Sequence, residues 1–123
     1  MDAQELQKRT KKFAIANIKL VQYINEHGPV AARIIADRQL LRSGTGVAAN
    51  YRAACRCKSR KDFIHKIGTV IEEADETQFW LELLKESDLV KPEVIKDLLQ
   101  ESGELTAIMT ASKNSAIKNQ SKN

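Results

Sequence analysis

Apolar residues recur along this chain at the three- and four-residue spacings of amphipathic helices, in four successive stretches. In residues 3–24, Phe13, Asn17, Leu20 and Ile24 fall on one stripe, widened by Ala14, Ile18 and Val21. Lys8, Arg9, Lys11, Lys12 and Lys19 coat the other faces. Gly28-Pro29 stops this helix, because glycine can turn the chain and proline cannot continue the hydrogen-bond ladder. In residues 30–57, Ile34, Leu41, Ala48 and Cys55 repeat every seven positions, with Ile35, Val47 and Tyr51 beside them, which predicts a seam of coiled-coil type. Gly44 and Gly46 fall inside it, each costing about 0.5–1 kcal/mol against alanine in a helix. A break there is one reading. The preferred one is a continuous helix whose glycines let another backbone come close.

The third stretch opens at Ser59. Its hydroxyl can accept an orphan N–H, and Asp62 three residues on suits the first turn. Phe63, Ile67, Val70, Ile71, Ala74, Leu81 and Leu84 then form a long stripe, with Glu72, Glu73, Asp75, Glu76, Glu82 and Glu86 on other faces. The fourth begins near Pro92, a residue suited to the first helical position. Its apolar face is Ile95, Leu98, Leu99, Ser102, Leu105, Ile108 and Met109. Residues 113–123 hold Lys, Asn, Ser and Gln with one Ala and one Ile, too little apolar surface to offset the entropy of ordering, so a mobile polar tail is expected there. Four helices with short connections predict an all-α, antiparallel up-down bundle over residues 1–112. There is no strand pattern, repeat or second domain.

Length and charge sharpen this picture. A chain of 123 residues can bury roughly two-thirds of its unfolded surface, enough for one core without staples. The net charge of +4 conceals an asymmetry. Residues 1–66 carry 14 Lys/Arg against 5 Asp/Glu, and residues 67–112 carry 3 against 11. Cys55 and Cys57 stand too close along a helix for an easy disulfide, and no secretory signal is visible, so a reducing cytoplasm is expected. No apolar run is long enough to span a membrane.

Candidate chemistry is sparse. Cys55 and Cys57 lack the further ligands of a zinc site, and His65 with Asp62 lacks the Glu-x-x-His pairs of a di-metal bundle. Gly44 and Gly46 lack the Lys-Ser/Thr and preceding strand of a phosphate-cradling loop. No convergent catalytic set is present, so the chain is read as non-catalytic, with no metal and no cofactor. Asn50, among alanines, reads as a buried polar residue that fixes helix register together with Gly44 and Gly46, against a rival reading as a ligand contact. Arg52, Arg56, Lys58, Arg60 and Lys61 form the densest basic group, with Lys8, Arg9, Lys11, Lys12 and the tail lysines as auxiliaries. They read either as a phosphate-binding patch for RNA or DNA or as a solvated face, a self-pairing surface or the complement of the acidic third helix across a subunit contact, the last making the chain a protein–protein interaction scaffold with no nucleic-acid role. No aromatic residues are interleaved to support base stacking. Phe79 and Trp80 lie at the flank of the third stripe and read as an oligomer contact.

Several ordered blocks carry a family resemblance: Leu41-Arg42-Ser43-Gly44-Thr45, Ala49-Asn50, Ser59-Arg60-Lys61-Asp62-Phe63-Ile64, Glu73-Ala74-Asp75-Glu76-Thr77 and Trp80-Leu81-Glu82-Leu83-Leu84. With these blocks the chain resembles the small bacterial four-helix bundles named after intervening sequences of 23S rRNA genes. The resemblance covers the second and third helices, and the first and fourth agree in length and pattern. It implies an up-down bundle assembled as a homopentamer, with no established enzyme activity. It also implies a suspected nucleic-acid role, since such a role is suspected for relatives among accessory proteins of retroelements. Gly46-Val47-Ala48 stands where the family often has Ser-Ile-Gly, and Ala53 where it commonly has Glu, which leaves the surroundings of Arg52 and Arg56 more basic.

Overall fold

A computed structural model describes residues 1–121. Among them four long helices form the bundle that the apolar pattern predicts. Helix α1 is Ala3–His27, opened by Asp2, whose carboxylate accepts the Glu5 N–H at 2.8 Å. Helix α2 is continuous from Val30 to Cys55 but not uniform: α-helical Val30–Ile35 and Leu41–Cys55 flank a π turn at Ala36–Leu40. Helix α3 is Arg60–Glu86, with the Ser59 hydroxyl accepting the Asp62 N–H at 3.0 Å as its sequence requires. Helix α4 is Pro92–Ser121. The turn before it places Asp88 at φ 59°, and Leu89 and Val90 donate back to the Leu84 carbonyl, closing the end of α3.

The helices pack in chain order, α1 on α2, α2 on α3 and α3 on α4, and α4 closes more loosely against α1. Phe13, Ile24, Leu40, Ile67, Leu81, Leu84, Ile95, Leu105 and Met109 are all essentially sealed from solvent. Each such side chain contributes roughly 1.5–3 kcal/mol of hydrophobic stabilisation. The stripes of α3 and α4 are those expected.

The seam of α2 is not. The seven-residue repeat is present one position earlier, at Leu40, Val47 and Ala54, all buried. Ile34 is 47% exposed, and Leu41, Ala48 and Cys55 are only half-buried. A π turn precedes this seam. Leu41 donates to the Ala36 carbonyl, five residues back, which inserts one residue and changes the phase of the helix. Upstream of the turn, the core positions are therefore Ala32 and Ala36 rather than the exposed Arg33.

Gly44 and Gly46 lie in unbroken helix. The neighbours they admit are side chains rather than another backbone: Asn17 at Gly44 and Glu73 at Gly46. The fully buried asparagine is Asn17, not Asn50. Asn17 donates to the Phe13 carbonyl at 2.9 Å, while half-buried Asn50 donates to the Gly46 carbonyl at 2.8 Å.

The end of α4 also departs from expectation. Residues 113–121 continue the helix instead of forming a mobile tail; residues 122 and 123 lie outside the described residues. Propagating an existing helix needs only one more hydrogen bond per residue fixed, and Lys113 and Ala116 still lie half-buried along the bundle.

Candidate nucleic-acid interface

Lys8, Lys11, Arg52 and Arg56 come together along one open groove of about 930 Å³ between the start of α1 and the end of α2. The residues of the two pairs are more than forty positions apart in sequence. Antiparallel packing brings them together, because the N-terminal half of α1 lies against the C-terminal half of α2. Ala3, Ala48 and Ala49 floor the groove, and their small side chains keep it shallow. The displaced heptad positions Ala48 and Cys55 thus line this groove rather than the core. All four cations are exposed, and none forms an ion pair among the described residues.

The other basic residues divide. Lys58 and Arg60 line an adjoining cavity at the end of the bundle, which shares Ala3 and Cys55 with the groove. Lys61 is exposed on the first turn of α3 and lines neither. Arg9 is engaged elsewhere: its guanidinium forks onto Glu101 at 2.6 and 2.7 Å and reaches Glu104 at 3.1 Å. Those bonds, chiefly to Glu101, hold Arg9 charged well above its ordinary range despite partial desolvation. The pair ties α1 to α4 where the two helices meet loosely. Lys12 faces the same side, beside Asp97 and Glu101.

The blocks that carry the family resemblance meet on the seam between α2 and α3. Arg42 reaches Glu76 and, at 3.4 Å, Glu73; Ser43 and Thr77 share a buried hydroxyl contact at 2.9 Å. Trp80 donates from its indole N–H to Glu76 at 3.2 Å. Phe79, 54% exposed, stands edge-on to Trp80 with ring centroids 4.9 Å apart, so Phe79 is the free apolar surface and Trp80 is half-buried beside it. Much of this chemistry fastens two helices together. It was legible only as separate motifs, because nothing along the chain announces that Arg42 faces residues more than thirty positions later.

Glu73 is the perturbed carboxylate of that seam. Burial pushes it above its ordinary range, Arg42 opposes the shift, and Glu76 adds to it. Its side chain is 17% exposed. A raised folded-state value means that ionisation weakens the folded state. The penalty is full at neutral pH and is relieved as pH falls through the folded value. Relative to Glu73→Gln, the wild type should therefore gain stability as pH falls from neutral toward the ordinary carboxylate range. Parallel urea melts of the two proteins measure this, and a gap that stays constant or moves the other way removes the desolvation account.

Cys55 and Cys57 are free thiols, and burial, with a hydrogen bond to Cys55, pushes the Tyr51 phenol above its ordinary range. Among the described residues, no three His, Cys, Asp or Glu side chains gather as metal ligands. No described helix is long and apolar enough to cross a membrane.

The model of the family described as 23S rRNA-intervening sequence protein matches residues 4–111. A crystal structure at 1.70 Å of a protein of unknown function from the S23 ribosomal protein family of Bacteroides thetaiotaomicron VPI-5482 is similar to this chain. It has 29% identity and a TM-score of 0.78, and the match covers 87% of this chain and 96% of that one. No curated protein matches.

Proposed function

The chain belongs to the 23S rRNA-intervening sequence protein family, and from that premise we propose that it is a non-catalytic, self-associating protein that binds RNA or DNA phosphates in the groove between α1 and α2. The observation that carries this reading is the convergence of Lys8, Lys11, Arg52 and Arg56 without acidic partners. Unpaired cations over a shallow floor suit a phosphate backbone, since each neutralised phosphate releases counterions and adds salt-dependent affinity. Contacts of this kind position a strand without reading its sequence. Lys58 and Arg60 of the adjoining bundle end extend the positive surface.

Binding of a generic hairpin RNA across a salt series tests the reading. Four phosphate contacts predict a slope of log affinity against log salt of about −3. Absent binding at low salt, or affinity indifferent to salt, rules it out.

Self-association, as a homopentamer by family likeness, is the second part of the proposal. Phe79 and Leu83 support it: both are exposed apolar side chains one turn apart on α3, rimmed by exposed Glu72, Asp75 and Glu86. A ring needs two different faces on each subunit, and an apolar patch with an acidic rim complements a basic one. Phe79→Ser should lower the particle mass toward that of a single chain with little change in helicity. Light scattering coupled to size exclusion, with circular dichroism, reads both. An unchanged mass places the contact elsewhere.

A further inference from the structure

The basic groove runs into a cavity of about 990 Å³ at the end of the bundle, within the range of small-molecule sites. It is a wide, open depression whose lining is more apolar than polar. Leu6, Ile108 and the rings of Tyr51 and Phe63 line it, and the Phe63 ring is only half-buried. Its mouth is cationic, with Lys58 and Arg60. Ser112, Ser115 and Asn119 line the wall formed by the last turns of α4, supplying hydroxyl and amide groups that both donate and accept. That wall exists because α4 continues past its core-packing residues.

We infer that this cavity receives an unpaired nucleobase from a strand whose phosphates lie in the α1/α2 groove. The inference rests on the phosphate-binding reading above and specifies its substrate as single-stranded rather than duplex. Three features of the cavity match a nucleotide. The half-buried Phe63 ring and Ile108 offer apolar surface to a flat ring, the α4 wall offers donors and acceptors to a base edge, and exposed Lys58 and Arg60 in the same lining offer charge to a flanking phosphate. Continuity with the groove through Ala3 and Cys55 joins the two halves of the site. A purely apolar ligand has no use for the cationic mouth. A duplex must first unstack and unpair a base, at a cost that a single strand does not bear. Phe63 supplies an aromatic beside the cations that the sequence pattern assigns to the core.

The test compares one DNA strand of about 12 nucleotides, fluorescently labelled, alone and annealed to its complement, by anisotropy at fixed salt with the full chain. Two variants are compared with the wild type. Ala116→Trp fills the cavity from a part of α4 beyond the core, and Phe63→Leu removes the ring while keeping apolar volume. Thermal melts confirm that both are folded. The wild type should hold the single strand about tenfold more tightly than the duplex. Each variant should lose about tenfold on the single strand and leave duplex affinity unchanged. Equal single-strand and duplex affinities, or variants that change neither or lower both alike, overturn the inference while leaving the salt-dependent groove intact. No binding of either probe at low salt overturns the phosphate reading as well.

Discussion

Replacing Gly44 with alanine is expected to destabilise the protein by about 2 kcal/mol and lower its melting temperature by roughly 8 °C. The direction is the opposite of what helix propensity alone gives, since alanine in place of a mid-helix glycine should gain about 0.5–1 kcal/mol. Tertiary packing decides the sign. A Cβ on Gly44 would stand 2.5 Å from Cγ of Asn17 and 2.8 Å from its Cβ. Asn17 is completely buried and cannot swing aside into solvent. To clear the new methyl it must give up its bond to the Phe13 carbonyl and press a polar amide against apolar neighbours. The Asn17 Oδ1 is already a buried acceptor without a partner, so the site has little tolerance left.

Asn17→Ala opens the same space from the other side. Only the Cβ at position 17, 2.8 Å away, then stays in the way, so Gly44→Ala should cost less in that background and the two changes should be non-additive by chemical denaturation. A full 2 kcal/mol loss from Gly44→Ala in both backgrounds would contradict the steric account. Gly46 provides an internal comparison. Its added Cβ would meet the carboxylate end of Glu73 at 2.9 Å, and that flexible side chain can move, so Gly46→Ala should be close to neutral. Asn17 and Gly44 together also favour one axial register of α1 on α2, because sliding either helix by a turn sets the amide against a side chain.

Reversing charge at Arg52 and Arg56 together is expected to weaken hairpin RNA binding about 100-fold near 0.1 M salt and to make the salt slope shallower by about two. Each arginine supplies one phosphate contact, and each glutamate adds repulsion at the same place. Both side chains are exposed and without ion-pair partners, so the fold should change by no more than about 0.5 kcal/mol. Lys19→Glu, an exposed charge reversal that lines no part of the groove, should change affinity only a few-fold. Affinity and particle mass are measured on the same samples. If the assembly falls apart while affinity per chain is kept, Arg52 and Arg56 belong to a contact between copies. The non-nucleic-acid scaffold reading then replaces phosphate binding.

The stripes of α1, α3 and α4, the cap at Ser59 and the start at Pro92 could be read along the chain because each depends on neighbours within one or two turns. Local spacing carries that information completely: Ile67, Val70, Ala74, Leu81 and Leu84 must share a face if the segment is helical at all. The phase of α2 could not be read this way. Apolar residues occupy both Leu40 and Leu41, both Val47 and Ala48, and both Ala54 and Cys55, so two seams fit the sequence equally well. The fit of Gly44 against Asn17 selects between them, and it does not exist until α1 is in place. The same holds for the basic residues. Their number was plain from the chain, but Arg9 is held by Glu101 and Glu104, while Lys8, Lys11, Arg52 and Arg56 share a groove. Helical periodicity is a short-range property and survives in any arrangement of the rods. Partnership between charges is a long-range one, set by which helix faces which across the bundle.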